Sequence, residues 1–321
     1  MKHFLSLRNI EPSSVLKLID RAIEIKGGSK PTNLEGKILG MLFFKRSLRT
    51  RVSFEAGMAK FGGTAIPISV GSDSWDLETE EGIIMNGDKT EHVKEAAPVL
   101  SRYCDILGVR SAPTIGKKED NILNSFAKYS EVPVINLESN LEHPCQALAD
   151  IMTIKEKISR PKKMVLTWLP QVKATPVATA HSVSMVGPFL GLDTTIVHPP
   201  GYDLDPDFLE FSQNIAENFG GRLSVKVLEN GADRDKLFSD SDIIYGKSWV
   251  SKAKSETEQS EEFLKYSSFK VSAIPKNSKF MHCLPVRRNL KVSDSVLDSS
   301  IVVDQAENRM WTQLAILEDL L

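Results

Sequence analysis

The spacing of apolar residues changes period along the chain, and each change marks a predicted element. In residues 11–26 the apolar positions Val15, Leu16, Leu18, Ile19, Ala22 and Ile23 recur at helical spacing and predict an amphipathic helix. Residues 37–44 (KILGMLFF) form a nearly unbroken apolar run of strand length, the pattern of a strand buried on both faces. Residues 53–61 predict a second helix, closed by the pair Gly62-Gly63. Further strands are predicted at 65–70, 106–109 and 132–136, with a helix over 91–103.

After Ser159-Arg160-Pro161-Lys162-Lys163 the pattern starts again. It predicts strands at 164–168, 194–197, 223–227, 243–245, 279–281 and 301–303, with helical stretches between most of them. Two successive β/α units, each a parallel sheet covered by helices, account for this alternation. Residues 251–262 are rich in Ser, Lys, Glu and Gln, and the stretch 251–278 reads either as a solvated loop or as a lid that orders over substrate.

Composition sharpens this picture in three respects. A chain of 321 residues exceeds one ordinary core, which agrees with two domains. The 40 basic and 42 acidic residues nearly cancel, so no broad field favours nucleic acid or an anionic membrane, and an anionic substrate needs a local cluster. Cys104, Cys145 and Cys283 are too scattered for a disulfide framework or a zinc site, which points to a reducing, cytoplasmic setting and no metal. The first residues carry no secretory pattern, and no apolar run approaches membrane-spanning length.

Candidate chemistry gathers after three successive strands. Lys45-Arg46-Ser47-Leu48-Arg49-Thr50-Arg51 leads from a strand into a helix, where first-turn N–H groups and the positive end of the dipole favour an anion. Arg49 and Arg51 add forked donors suited to phosphate oxygens, whereas Ser47 or Thr50 could equally act as a helix cap beside solvated arginines. Arg110 follows the third strand, and His143-Pro144-Cys145-Gln146 follows the fourth. His143 can donate to a carbonyl, and Gln146 can both accept from and donate to an amide. No G-x-G-x-x-G follows a strand, which disfavours a dinucleotide-binding oxidoreductase.

These segments resemble the aspartate/ornithine carbamoyltransferase family. Ser47-Leu48-Arg49-Thr50-Arg51 is similar to its Ser-x-Arg-Thr-Arg signature, and His143-Pro144-Cys145-Gln146 to its His-Pro-x-Gln. His282-Cys283-Leu284-Pro285 resembles the His-Cys-Leu-Pro of the ornithine branch, and Glu307-Asn308-Arg309 is also similar to a family segment. The resemblance implies an α/β chain of two doubly wound parallel-sheet domains, the carbamoyltransferase fold. It implies a carbamoyl-phosphate domain over 1–150 plus a C-terminal helix at 305–321, and an amino-acid domain over 151–304. It further implies that Ser47, Leu48, Arg49 and Thr50 cradle the phosphate and that Arg110 bridges phosphate and carbonyl. His143 and Gln146 would hold the carbamoyl group, and Cys283, Leu284 and Arg309 would complete the site. Trp75, in Gly71-Ser72-Asp73-Ser74-Trp75, would enter the site of a neighbouring subunit of a homotrimer. Carbamoyl phosphate is already activated, so no cofactor is expected. Orientation of a neutral amine and stabilisation of an oxyanion by Arg49, Thr50, Arg110 and His143 suffice. Cys283 reads as a nucleophile or as a backbone acceptor, with His282 the nearby base.

The identity of the amine rests on further likenesses. The Asp-x-x-x-Ser-Met-Gly segment of plain ornithine enzymes is not found, and 181–187 offers only Ser184-Met185. Trp168-Leu169-Pro170-Gln171-Val172-Lys173-Ala174-Thr175-Pro176 resembles the proline-rich loop of the N-acetylornithine and N-succinylornithine branch, which goes with a knotted second domain. Residues 85–92, Tyr245-Gly246-Lys247-Ser248-Trp249 and Arg287-Arg288-Asn289 resemble the same branch. Where acetyl enzymes carry a glutamate that would repel a succinyl carboxylate, this chain has Thr90, and residues 138–143 also resemble the succinyl type. Lys291 resembles the acetyl type instead, and the loop lacks the His and some prolines of both. Pro176 belongs to the acylornithine loop, Glu138 would orient the reacting amine, and Lys247 and Arg287 would pair a substrate carboxylate or else form ordinary surface pairs. The expected reaction is carbamoyl transfer to N-succinylornithine in arginine biosynthesis. N-acetylornithine, plain ornithine and a non-catalytic carbamoyl-phosphate-binding or regulatory homologue are the alternatives.

Overall fold

The computed structural model describes residues 2–111, 120–173, 175–251 and 254–321. These form two compact units, one of residues 2–111, 120–145 and 309–321, the other of residues 146–308.

The first unit begins with α1 (Pro12–Lys26), whose face of Val15, Leu18, Ile19 and Ala22 is buried. Four parallel strands follow: β1 (Ile38–Phe43), β2 (Thr64–Ser69), β3 (Ile106–Arg110) and β4 (Val134–Asn136), in spatial order β2-β1-β3-β4. Helices α2 (Arg49–Lys60), α3 (Val93–Tyr103) and α4 (Asn121–Tyr129) connect them. In β1, Gly40 pairs with Ile66 on one side and Leu107 on the other. A Cβ at Gly40 would lie 2.8 Å from the Cys104 sulfur, so only glycine lets the sheet close against that thiol. Leu42, Val93, Ala97, Leu107, Val109, Phe126 and Val134 form the core beside the sheet.

Helix α5 (Pro144–Lys157) begins in the first unit and continues in the second. The second unit holds five parallel strands: β5 (Lys163–Trp168), β6 (Asp193–His198), β7 (Arg222–Val227), β8 (Ile243–Lys247) and β9 (Lys279–Met281), in order β9-β8-β5-β6-β7. The central strands β5 and β8 are buried almost throughout, as their continuous apolar sequences require. No helix among the described residues is long and apolar enough to cross a membrane.

Four local expectations differ from the structure. The apolar triplet Ile301-Val302-Val303 is not a strand; it opens the C-terminal helix Val302–Leu320. Three apolar residues carry no period of their own, and buried positions recurring along the nineteen residues Val302–Leu320 decided for helix. Helix α2 starts at Arg49 rather than residue 53, because the Ser47 side chain accepts from the Thr50 N–H (3.3 Å) and secures an extra turn. Glu91–His92 pairs in parallel with Leu77–Glu78 before α3 begins, and the His92 ring caps that helix by accepting from the Lys94 N–H. The polar stretch after residue 251 is helical over Glu256–Lys265; residues 252 and 253 of the lid reading lie outside the described residues.

Candidate active site

In the first unit, the residues singled out beyond the strand ends come together. Arg49 and Thr50 open α2 directly after β1, Arg110 ends β3, and Glu138 and His143 lie on the segment after β4. Arg309, distant in sequence, donates from Nη2 to the Thr50 hydroxyl at 2.5 Å. Arg110 forms an ion pair with Glu138, and His143 Nε2 lies 3.9 Å from the same Glu138 carboxylate. Glu138 therefore sits beside the arginine and histidine of the first unit. Leu48, 73% exposed, projects from the helix start, and Arg51 pairs with Glu55 along α2.

The strand-to-helix segment carrying His143 is built rigidly. Ser139 donates to Asp120 Oδ2 at 2.7 Å, and the backbone N–H groups of Asn140 and Leu141 donate to Asp120 Oδ1. Glu142 is fully buried against Ser6, Arg8 and the Leu7 N–H, and its burial raises its pKa. Cys145 is sealed inside, and burial pushes its thiol up to about 12, so it is not a nucleophile at neutral pH.

Electrostatically this cluster has too little negative charge, since Glu138 offsets only one of Arg49, Arg110 and Arg309. Arg309 is 3% exposed, and burial, with Arg110 and Arg49 nearby, brings its pKa down to about 10. Its Nε and that of Arg110 are buried with no hydrogen-bond acceptor among the described residues. Buried guanidinium donors without acceptors are costly alone and are satisfied by an oxyanion, best by phosphate with its several oxygens. Trp75 is exposed on this unit, its indole N–H donating to Glu91 at 2.6 Å, and Thr90 is also exposed.

The second unit brings together another set. Gln146, one turn into α5, donates to Asp150 Oδ1 at 2.7 Å. Cys283 is half-buried after β9, and the Leu284 N–H donates to His282 Nδ1 at 2.9 Å. Leu284 has φ 53° and is followed by a cis peptide bond to Pro285. The left-handed conformation costs a non-glycine residue about 1–2 kcal/mol, and such costs concentrate at functional sites. Lys247 ends β8, and Lys291 is buried near it; burial first, then Lys247 and Arg287, lowers the Lys291 pKa to about 8. None of Lys247, Arg287 and Lys291 forms an ion pair among the described residues. Pro176 is half-buried beside Thr175, whose carbonyl accepts from the Val250 N–H, while Gln171 and the Trp168 indole both donate to the Trp249 carbonyl. Ala174 of that loop lies outside the described residues.

Sequence reasoning missed Asp150, Tyr245 and Gln305, which support Gln146 from behind. The four-residue step from Gln146 to Asp150 on one helix face was a legible signal; the contribution of Gln305, 155 residues further on, was not.

Two parallel-sheet units, with an arginine-rich helix start in one and Lys247 at a strand end near the buried Lys291 in the other, suit anionic ligands. The chain belongs to the aspartate/ornithine carbamoyltransferase family and is a carbamoyltransferase. Residues 2–156 match that family's carbamoyl-P binding domain, and residues 176–320 match its Asp/Orn binding domain. The N-acetylornithine carbamoyltransferase of Xanthomonas campestris pv. campestris is 38% identical over 338 residues, covering 100% of this chain and 98% of its own. The N-succinylornithine carbamoyltransferase of Bacteroides thetaiotaomicron is also 38% identical, over 297 residues, 89% of this chain and 87% of its own. Among solved structures, acetylornithine transcarbamylase complexed with acetylcitrulline superposes with a TM-score of 0.93 at 36% identity, covering 100% of this chain and 99% of that one. A glutamate-to-alanine mutant of N-acetyl-L-ornithine transcarbamylase, complexed with carbamyl phosphate and N-succinyl-L-norvaline, also has a TM-score of 0.93 at 36% identity, with 100% of both chains covered.

Proposed function

We propose that the protein transfers the carbamoyl group of carbamoyl phosphate to the side-chain amine of N-succinylornithine, giving N-succinylcitrulline and phosphate. Ser47, Leu48, Arg49, Thr50, Arg110 and Arg309 hold the phosphate; His143 and Gln146 hold the carbamoyl group. The amine nitrogen attacks the carbonyl carbon, and the resulting oxyanion is stabilised by Arg49, Thr50, Arg110 and His143. Collapse of the tetrahedral intermediate expels phosphate, which takes up the proton lost from the nitrogen. Donors of this kind are each worth about 10²- to 10³-fold in turnover. Homologues named for acylated ornithine support an ornithine with an acylated α-amine and a free side-chain amine as the acceptor.

The observation that carries the succinyl assignment is the charge balance of the second unit. Lys247, Arg287 and Lys291 are cations without carboxylate partners among the described residues, and burial first, then Lys247 and Arg287, depresses the Lys291 pKa. Two carboxylates, the α-carboxylate and that of a succinyl group, neutralise this set better than one. Thr90 adds a second support: it is exposed and uncharged where acetyl enzymes carry a repelling glutamate. The mutant complex with succinyl-norvaline fits the same logic, since loss of a glutamate accompanies a succinyl ligand there. Although its charge counts toward a second carboxylate, Lys291 resembles the acetyl type in sequence, which makes N-acetylornithine the second reading.

The test is product formation from carbamoyl phosphate with ornithine, N-acetylornithine and N-succinylornithine in parallel. Succinylornithine is expected to react with the highest kcat/KM. A preference for acetylornithine would overturn the succinyl assignment, and activity with ornithine alone would overturn the acylated class.

A further inference from the structure

Asp150 belongs to none of the motifs described above. It is completely buried on α5, one helical turn beyond Gln146. Its Oδ1 accepts from Gln146 Nε2 at 2.7 Å and from Gln305 Nε2 at 2.6 Å, and the Tyr245 hydroxyl also hydrogen-bonds to the carboxylate. Gln305 is pinned in turn, because its Oε1 accepts from the His282 N–H at 3.0 Å and its Nε2 lies 3.0 Å from the Tyr245 oxygen. Gln146, Gln305 and Tyr245 are themselves sealed from solvent.

This arrangement removes a choice that a glutamine normally has. The two ends of its amide are nearly equal in size, and a free side chain presents either the donor or the acceptor. Facing a carboxylate that already receives other donors, the Gln146 amide can turn only its NH2 inward, since a flip would press two oxygens together in a water-free interior. Its Oε1 is then the outward end.

We infer that Asp150 is a positioning residue that commits Gln146 to accept a hydrogen bond, and thereby selects an acyl phosphate whose acyl group carries N–H. Carbamoyl phosphate is retained, and acetyl phosphate, with a methyl in place of the amino group, is rejected. The inference rests on the assignment of Gln146 to the carbamoyl group. A site built to pair an N–H discriminates strongly against an isostere lacking it, because its acceptor is left without a partner.

The experiment compares the full-length protein with Asp150→Leu, Asp150→Asn and Gln146→Leu. It measures binding of carbamoyl phosphate, acetyl phosphate and inorganic phosphate by calorimetry and by inhibition. The wild type is expected to prefer carbamoyl over acetyl phosphate by at least about tenfold. Asp150→Leu is expected to lose most of that preference while inorganic phosphate binding stays within about twofold, because the phosphate donors are untouched. Asp150→Asn keeps an acceptor oxygen toward Gln146 and is expected to restore the preference, an outcome that a merely structural role would not predict. An Asp150→Leu protein with the wild-type preference would overturn the inference. So would a wild type that binds acetyl phosphate equally well, a result that needs no variant to fold. If Gln146→Leu also keeps the preference, the assignment of Gln146 itself has failed; if Gln146→Leu abolishes it and Asp150→Leu does not, only the positioning role has.

Discussion

Buried cations set the chemistry of both units, and Lys291 shows what this costs the fold. The residue is 8% exposed, and burial with Lys247 and Arg287 nearby lowers its pKa to about 8 from the ordinary 10.5. Between pH 8 and 10.5 the unfolded chain binds a proton at this residue that the folded protein does not, so stability rises with pH through that window. Below pH 8 the folded protein carries the whole cost of the buried charge, on the order of 3 kcal/mol before relaxation. Lys291→Met is therefore expected to raise the unfolding free energy at pH 7 by on the order of 1–3 kcal/mol and to flatten the rise above pH 8, as read from guanidinium melts at several pH values. A variant that is no more stable than the wild type at pH 7 would contradict this account.

At the scale of elements, the start of α2 combines two opposed demands. Ser47 accepts from the Thr50 N–H and stabilises the helix start, whereas Arg49 places positive charge at the positive end of the dipole. Ser47→Ala should cost about 0.5–2 kcal/mol of stability, seen as a lower melting temperature. Arg49→Ala should hold or slightly raise stability, by up to about 1 kcal/mol, while abolishing carbamoyl-phosphate binding in calorimetry. If Arg49→Ala bound carbamoyl phosphate as the wild type does, the phosphate assignment would be wrong. Most of these elements were legible beforehand, since strands such as Met164–Trp168 announce themselves as apolar runs bounded by polar turns. The failures occurred where a run was too short to show a period, at Ile301–Val303, or where a side-chain hydrogen bond extended a helix, at Ser47.

At the scale of the whole molecule, the first unit leaves many large apolar side chains in solvent. Leu48, Val52, Ile66, Trp75, Ile84 and Tyr103 are all exposed, and where such side chains adjoin they suit a surface that associates. We propose a homotrimer in which this surface is covered and Trp75 reaches the phosphate site of a neighbour. Light scattering should give three times the chain mass of 35.6 kDa. Ile66→Lys with Val52→Lys should yield monomers that remain folded by circular dichroism but lose activity. Fully active monomers would remove the need for a shared site.

What the sequence determined by itself was the alternation of strands and helices, the two β/α units and the strand-end placement of Arg49, Arg110 and His143. These features depend on local period and on short motifs, which the chain displays in order. Tertiary structure alone decided which distant groups meet. Arg309 reaches Thr50 across 259 positions, and Gln305 joins Gln146 on the carboxylate of Asp150. It also decided that the Lys291 pKa falls and the Cys145 pKa rises, because burial and neighbouring charge arise only once the chain has folded.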